Sequence, residues 1–359
     1  MSLNWLLVFI PVALGLAWFQ ASPIVVFAIA ALALVPLARL MGQATDALAD
    51  FVGPTWGGLL SASLGNAPEI IIGIFALRQG LVTVVKSSLV GSIIGNLLLG
   101  LGLSMILGGA RHGMQRFDLT VANMNSGLLM LAASGLIIPA VFYHSSTAVT
   151  RTISMQIAAV LFAVYLGSLL YTLITNKPAL GKEKVKAEVP GCKEPAVVKA
   201  RWAKNHALGI LAIVTIALAV MSEILTDAIE PASRSMGLTP VFAGVFLLAL
   251  VGNVAELFNA VVFARADKMD LSLGVTVGAS IQIALVVAPV LVFAGALIGQ
   301  RIDLVFTRFE LVAVGLTVLL TKQLIQNGRS NWLEGLMLVG VYAMLGIGFF
   351  NLPATPDSP

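Results

Sequence analysis

The chain has 359 residues, 58% of them apolar and only 11% charged, with a mean hydropathy of +0.98 and a formal net charge of +4. Soluble domains carry roughly 25% charged residues, so water is not the main solvent for this surface and a soluble enzyme is excluded. The small positive charge comes largely from residues 176–204 and needs no nucleic-acid partner, because basic loops are how membrane proteins set their orientation.

Apolar runs recur from end to end, each long enough to cross a hydrocarbon layer of roughly 30 Å as a helix. Eleven spans are predicted: 3–20, 24–42, 56–78, 82–109, 118–143, 149–175, 205–227, 239–264, 271–298, 304–325 and 331–350. The first has no Lys or Arg ahead of it and no small-residue cleavage pattern, so it reads as a retained helix and not a removable leader. Between spans 6 and 7 lies the one long polar segment, Asn176 to Lys204, rich in Lys and Glu and carrying Pro178, Pro190 and Pro195; it reads as a solvated linker. A single cysteine, Cys192, falls there, which rules out an internal disulfide and leaves oxygen ligands for any metal chemistry.

The chain matches itself at an offset of 187 residues: Gly65 falls on Gly252, Asn66 on Asn253, Glu69 on Glu256, Arg78 on Arg265, Gly91 on Gly278 and Ile94 on Ile281. Each copy sits in the second helix of a block of five. An odd block enters the membrane with opposite polarity the second time, the inverted-repeat arrangement of many secondary transporters. The expected organisation is an all-α polytopic membrane protein: a leading helix (1–22), a first repeat (23–175), the linker (176–204), a second repeat (205–350) and a short tail (351–359). Assigning loops alternately to two sides puts 15 of the 21 Lys and Arg residues on the side of the linker and the N-terminus. That side is expected to be cytoplasmic, with the C-terminus outside. The short loops fit a prokaryotic inner membrane.

Each repeat carries Gly-Asn-x-x-Glu at mid-membrane: Gly65, Asn66, Ala67, Pro68, Glu69 and Gly252, Asn253, Val254, Ala255, Glu256. A glycine followed by a capping residue interrupts a helix, and Asn and Glu three apart have the spacing of a capping box, so both spans are expected to be broken. Pro68 fits the first turn of a new helix. Capping alone would explain the glutamates in water. In a bilayer a charged carboxylate costs on the order of 2.5–3.5 kcal/mol, so two at matched positions point to ion ligands. The spans that follow carry Gly91, Ser92, Gly95 and Asn96 in one copy and Gly278, Ser280 and Gln282 in the other. The glycines read as close packing. Asn96 and Gln282 read equally as ligands or as hydrogen bonds between helices. Glu223, with Asp227 and Glu230 beyond it, is either a membrane-edge acid or part of a wet access path. Glu310 and Asp118 look like helix-end residues, and Arg78 and Arg265 like snorkelling ends.

At these residues the chain resembles the calcium/cation antiporter superfamily, specifically the proton-coupled calcium/proton exchangers. The stretches Gly65–Glu69, Gly91–Leu99, Gly252–Glu256 and Ser280–Leu285 are close to that branch's pattern, and the likeness covers nearly the whole chain. It implies Glu69 and Glu256 as central cation ligands and proton-coupling groups, with Asn66, Asn253, Asn96 and Gln282 around them and no cofactor. Pro68, Leu257 and Ala279 stand where the branch often has threonine, histidine and serine. Gln282 and Ile283, in place of an acid beside the second amide, favour protons over sodium as the coupling ion.

Two carboxylates sharing a poorly solvated cavity cannot both remain ionised and unpaired. A divalent cation or protons can neutralise them, but not both together, which is antiport in outline. Calcium, which takes six to eight oxygens, suits such a site better than magnesium, which sheds water reluctantly. Three readings compete: a sodium-coupled exchanger of the same superfamily, a polytopic membrane enzyme using the glutamates as acid and base, and a passive channel. The three histidines fall at span ends or loops, so no His cluster supports the enzyme.

Overall fold

The computed structural model describes residues 3–52, 57, 60, 64–142, 147–175, 202–300 and 302–353. The protein is an all-α membrane protein. After a 3-10 turn (Leu3–Val8), α1 covers Phe9–Trp18 and α2 Pro23–Val52. Then come α3 (Ala67–Arg78), α4 (Val82–His112), α5 (Leu119–Val141) and α6 (Thr147–Thr175). Beyond the linker lie α7 (Lys204–Ser235), α8 (Pro240–Arg265), α9 (Met269–Leu297), α10 (Arg308–Ile325) and α11 (Trp332–Phe350). Among the described residues eight helices are long and apolar enough to cross a membrane: α2, α4 to α9 and α11. The linker from 176 to 201, Cys192 included, and the tail from 354 lie outside the described residues, as does much of the stretch preceding α3.

Polar residues close the helix ends where water would meet them. The Asp118 carboxylate accepts from the N–H groups of Thr120 (2.7 Å) and Val121 (3.2 Å), capping α5. Thr307 with Glu310, and Asn331 with Glu334, form reciprocal capping boxes on α10 and α11. Gly80, at φ 79°, makes the left-handed turn from α3 into α4.

The short strands β1 (Gln115–Arg116) and β2 (Arg329–Ser330) pair antiparallel and clip the α4–α5 loop to the α10–α11 loop. At the same end Gln115 donates to Asp267 (2.9 Å) and the Asp118 N–H to Asp270 (2.7 Å), which adds the α8–α9 loop. At the other end Lys86 pairs with Asp303 at 2.7 Å and Gln79 donates to Asp227 at 2.5 Å, gathering the opposite set of loops.

Three helices change pitch where they cross the centre. Gly95–Gly100 in α4, Ala243–Leu248 in α8 and Ile283–Val287 in α9 are π-helical, the wider winding that recurs at functional sites. The windings in α4 and α9 fall at matched places in the two halves. Crowding at the centre is met by small residues: a Cβ on Gly91 would run into the carbonyl oxygen of Val245 and lie 2.5 Å from its Cα, so α4 and α8 touch backbone to backbone. Gly95 and Gly278 have nothing within 4 Å of such a Cβ, so close packing, expected for all three glycines, holds for Gly91 alone.

Candidate cation site

The first motif sits at a true break. Gly65 and Asn66 form a turn, α3 begins at Ala67, and Pro68 stands in its first turn, where a missing N–H costs nothing. Asn66 precedes the helix, but its side chain makes no cap hydrogen bond; its amide instead donates 2.6 Å to the Gln282 Oε1 of α9. The second motif is unbroken. Gly252, Asn253 and Glu256 lie inside the continuous α8, downstream of its π turn, so neither the second break nor either capping box occurs. A buried helix centre offers Asn253 better partners than a cap would.

Those partners form a network between the halves. Asn253 donates to the Ser92 hydroxyl (2.7 Å) and to the Ala249 carbonyl (2.7 Å), and accepts from the Asn96 amide (2.9 Å). Asn66, Asn96, Asn253 and Gln282 are all buried. They meet as two cross-repeat pairs, Asn66 with Gln282 and Asn96 with Asn253.

The Glu69 carboxylate faces the second motif: a Cβ on Gly252 would stand 3.5 Å from its Cγ and 4.0 Å from its Oε1. Glu69 and Glu256 lie within electrostatic reach of one another. The Glu69 Oε2 and the Asn96 Oδ1 are buried acceptors with no hydrogen-bond partner among the described residues. Glu69, Ser88, Ser92 and Gly252 line a cavity of about 20 Å³, closed by Ile72, Leu248, Ile283 and Leu291. That volume admits a single water-sized occupant. The Glu69 carboxylate, the Asn96 oxygen and the serine hydroxyls are hard oxygen donors suited to a calcium-like ion; Glu256 is not among the residues lining this cavity, and no cluster of three or more His, Cys, Asp or Glu exists among the described residues.

Ser88 and Ser92 carry more of the site than the sequence reading gave them. Their signal was available: with Asn96 they recur every four residues and so share one helix face. Glu223 does not reach the centre. It is exposed on α7 with Asp227 and Glu230, a stripe ending near the Gln79 contact. Glu310 is buried, with Ser87 donating to it at 2.6 Å, and so ties α10 to α4 as well as capping it. Arg78 and Arg265 are exposed in the last turns of their helices.

The fold and its centre, assembled from matched motifs in the two halves of an apolar helical bundle, define a polytopic integral membrane protein with a buried polar core. The sodium/calcium exchanger protein family matches residues 22–174 and 206–350, and the chain belongs to that family. A Ca(2+)/H(+) antiporter of Aphanothece halophytica is 43% identical over 361 residues, covering 98% of this chain and 97% of the relative. A Ca(2+)/H(+) antiporter of a Synechocystis strain is 42% identical over 365 residues, covering 97% and 96%. The solved structure of native YfkE superposes with a TM-score of 0.83 at 34% identity, covering 98% of this chain and all of that one.

Proposed function

We propose that this protein exchanges calcium for protons across a membrane, with Glu69 and Glu256 as the groups both ions use in turn. The observation that carries the reading is the Glu69 carboxylate set against the second motif, with a buried oxygen that lacks a partner. Such an oxygen is costly in an apolar interior unless a cation or a proton satisfies it. The Ca(2+)/H(+) antiporters among the chain's relatives supply the two ions, and the oxygen-only donor set supports calcium.

In this reading calcium occupies the centre beside the ionised Glu69 and within reach of Glu256, with Asn66, Asn253, Asn96 and Gln282 positioning it or holding the halves around it. Protons replace calcium when it leaves. Either load cancels the charge, and only a cancelled core switches between its two open forms, because a bare dianion resists the dry transit. The chain is read as eleven spans in two inverted repeats, 23–175 and 205–350, after the leading helix 1–22. The linker and N-terminus lie in the cytoplasm of a prokaryotic cell, and Glu223 lines a path on the opposite side. The two sets of loops tied together at opposite ends support that alternation.

The test is calcium uptake into vesicles driven by a proton gradient. Glu69→Gln and Glu256→Gln should each reduce it to background, while the purified variants stay folded, since glutamine keeps the size of the side chain. Normal transport in either would overturn the assignment. Uptake that follows a sodium gradient and ignores protons would move the protein to the sodium-coupled branch.

A further inference from the structure

A cavity of about 60 Å³ lies between α2 and α8, lined by Val35, Arg39, Val254, Ala255, Phe258 and Asn259. Arg39 and Asn259 are its polar residues. The Arg39 Nη1 is buried and has no hydrogen-bond partner among the described residues. A guanidinium cannot shed its charge, and one held in a bilayer without a partner costs on the order of 2.5–3.5 kcal/mol.

Depth limits what the partner can be. Arg39 stands sixteen residues after Pro23, the start of α2. At 1.5 Å per residue that is about 24 Å along the helix, near the far side of a 30 Å hydrocarbon layer and within an arginine's reach of the headgroups. The cavity is open on an apolar side, where Phe258 of α8 is 46% exposed. A cation at the head and exposed apolar surface below it match the two parts of a phospholipid.

The corresponding place in the other half carries no charge. At the offset of 187, Arg39 corresponds to Thr226 and Asn259 to Ile72. Both are buried, at 1% and 4% exposure. The arginine therefore belongs to the α2 side alone.

We infer that the α2–α8 cleft binds an anionic phospholipid from the linker-side leaflet, its phosphate on Arg39 and Asn259 and an acyl chain along Phe258. A phosphate accepts the forked hydrogen bonds a guanidinium offers, and a basic pocket between spans is where acidic headgroups collect. Occupied, the cleft wedges α2 away from the helix that carries Glu256. The inference does not depend on the ions transported, so its test reads lipid and not exchange.

Protein purified from vesicles of phosphatidylcholine with phosphatidylglycerol should retain phosphatidylglycerol, counted by mass spectrometry of the intact complex. Arg39→Gln should lower retention about fivefold, the weight of one basic side chain at an anionic surface. Arg39→Lys should keep most of it, and Asn259→Ala, a change at an exposed position, should lower it without a cost in folding. Equal retention by wild type, Arg39→Gln and Asn259→Ala would overturn the site. Displacement of the lipid by inorganic phosphate at moderate concentration would also overturn it, in favour of a soluble anion.

Discussion

Asn253 commits both donors of its amide, to Ser92 and to Ala249, while its oxygen receives Asn96. Removing that side chain leaves the buried Ser92 hydroxyl and Asn96 amide short of a partner, while the Ala249 carbonyl stays within its helix. Each such loss costs about 1–3 kcal/mol where water cannot replace it. Asn253→Ala is therefore expected to lower the detergent melting temperature by several degrees and to slow calcium uptake. Ser92→Ala, which takes away one acceptor, should do less of both. If Asn253→Ala transports normally, the amide network is not what holds the halves in register. The glutamates differ in kind: replacing Glu69 by Gln fills the same space and removes only the charge, so transport should fail while stability holds. That contrast separates a ligand from a structural amide.

At the scale of the helix, the contact between α4 and α8 has no slack. A methyl on Gly91 meets Val245 backbone, which cannot rotate away, and Gly244 approaches α4 as closely, with a Cβ 2.5 Å from the Val84 carbonyl oxygen. Overpacking of this sort costs about 1–3 kcal/mol or more. Gly91→Ala should destabilise the protein measurably in a thermal shift assay, while Gly278→Ala, with open space around its Cβ, should not. Equal effects would mean the two helices are free to part. The π turns lie beside this contact. In α4 the winding starts around Asn96, in α9 just after Gln282, so the two amides reach opposite partners although the repeat alignment sets them one residue apart.

Across the whole molecule the two halves are not in the same state. Gln79 bridges α3 to Asp227 of α7, whereas at the corresponding place a cavity lies between α8 and α2. Such an inequality is what the proposed exchange needs, because in alternating access between inverted repeats opening one side copies onto it the arrangement of the other. The proposed shared site also predicts competition: raising the proton concentration on the side of calcium loading should slow uptake, because in that proposal both ions use the same oxygens.

Composition and apolar run length already dictated a membrane protein of transverse helices, since a backbone in lipid must satisfy its own hydrogen bonds and helices of a set length do so. The self-match singled out Glu69, Glu256 and the amides near them, because an ionisable residue is rare in such a chain and two at matched positions are rarer. The shared Gly-Asn-x-x-Glu predicted a break in both spans; Pro68, whose counterpart is Ala255, is the residue that distinguishes the broken α3 from the unbroken α8, because proline sits without cost only in a helix's first turn. Periodicity could not reveal the π turns, which add one residue to an apolar pattern already continuous on every face. Which amide meets which, and on which side the cleft stands open, are contacts between segments some 150 to 220 residues apart. Only packing the two halves against each other fixes them.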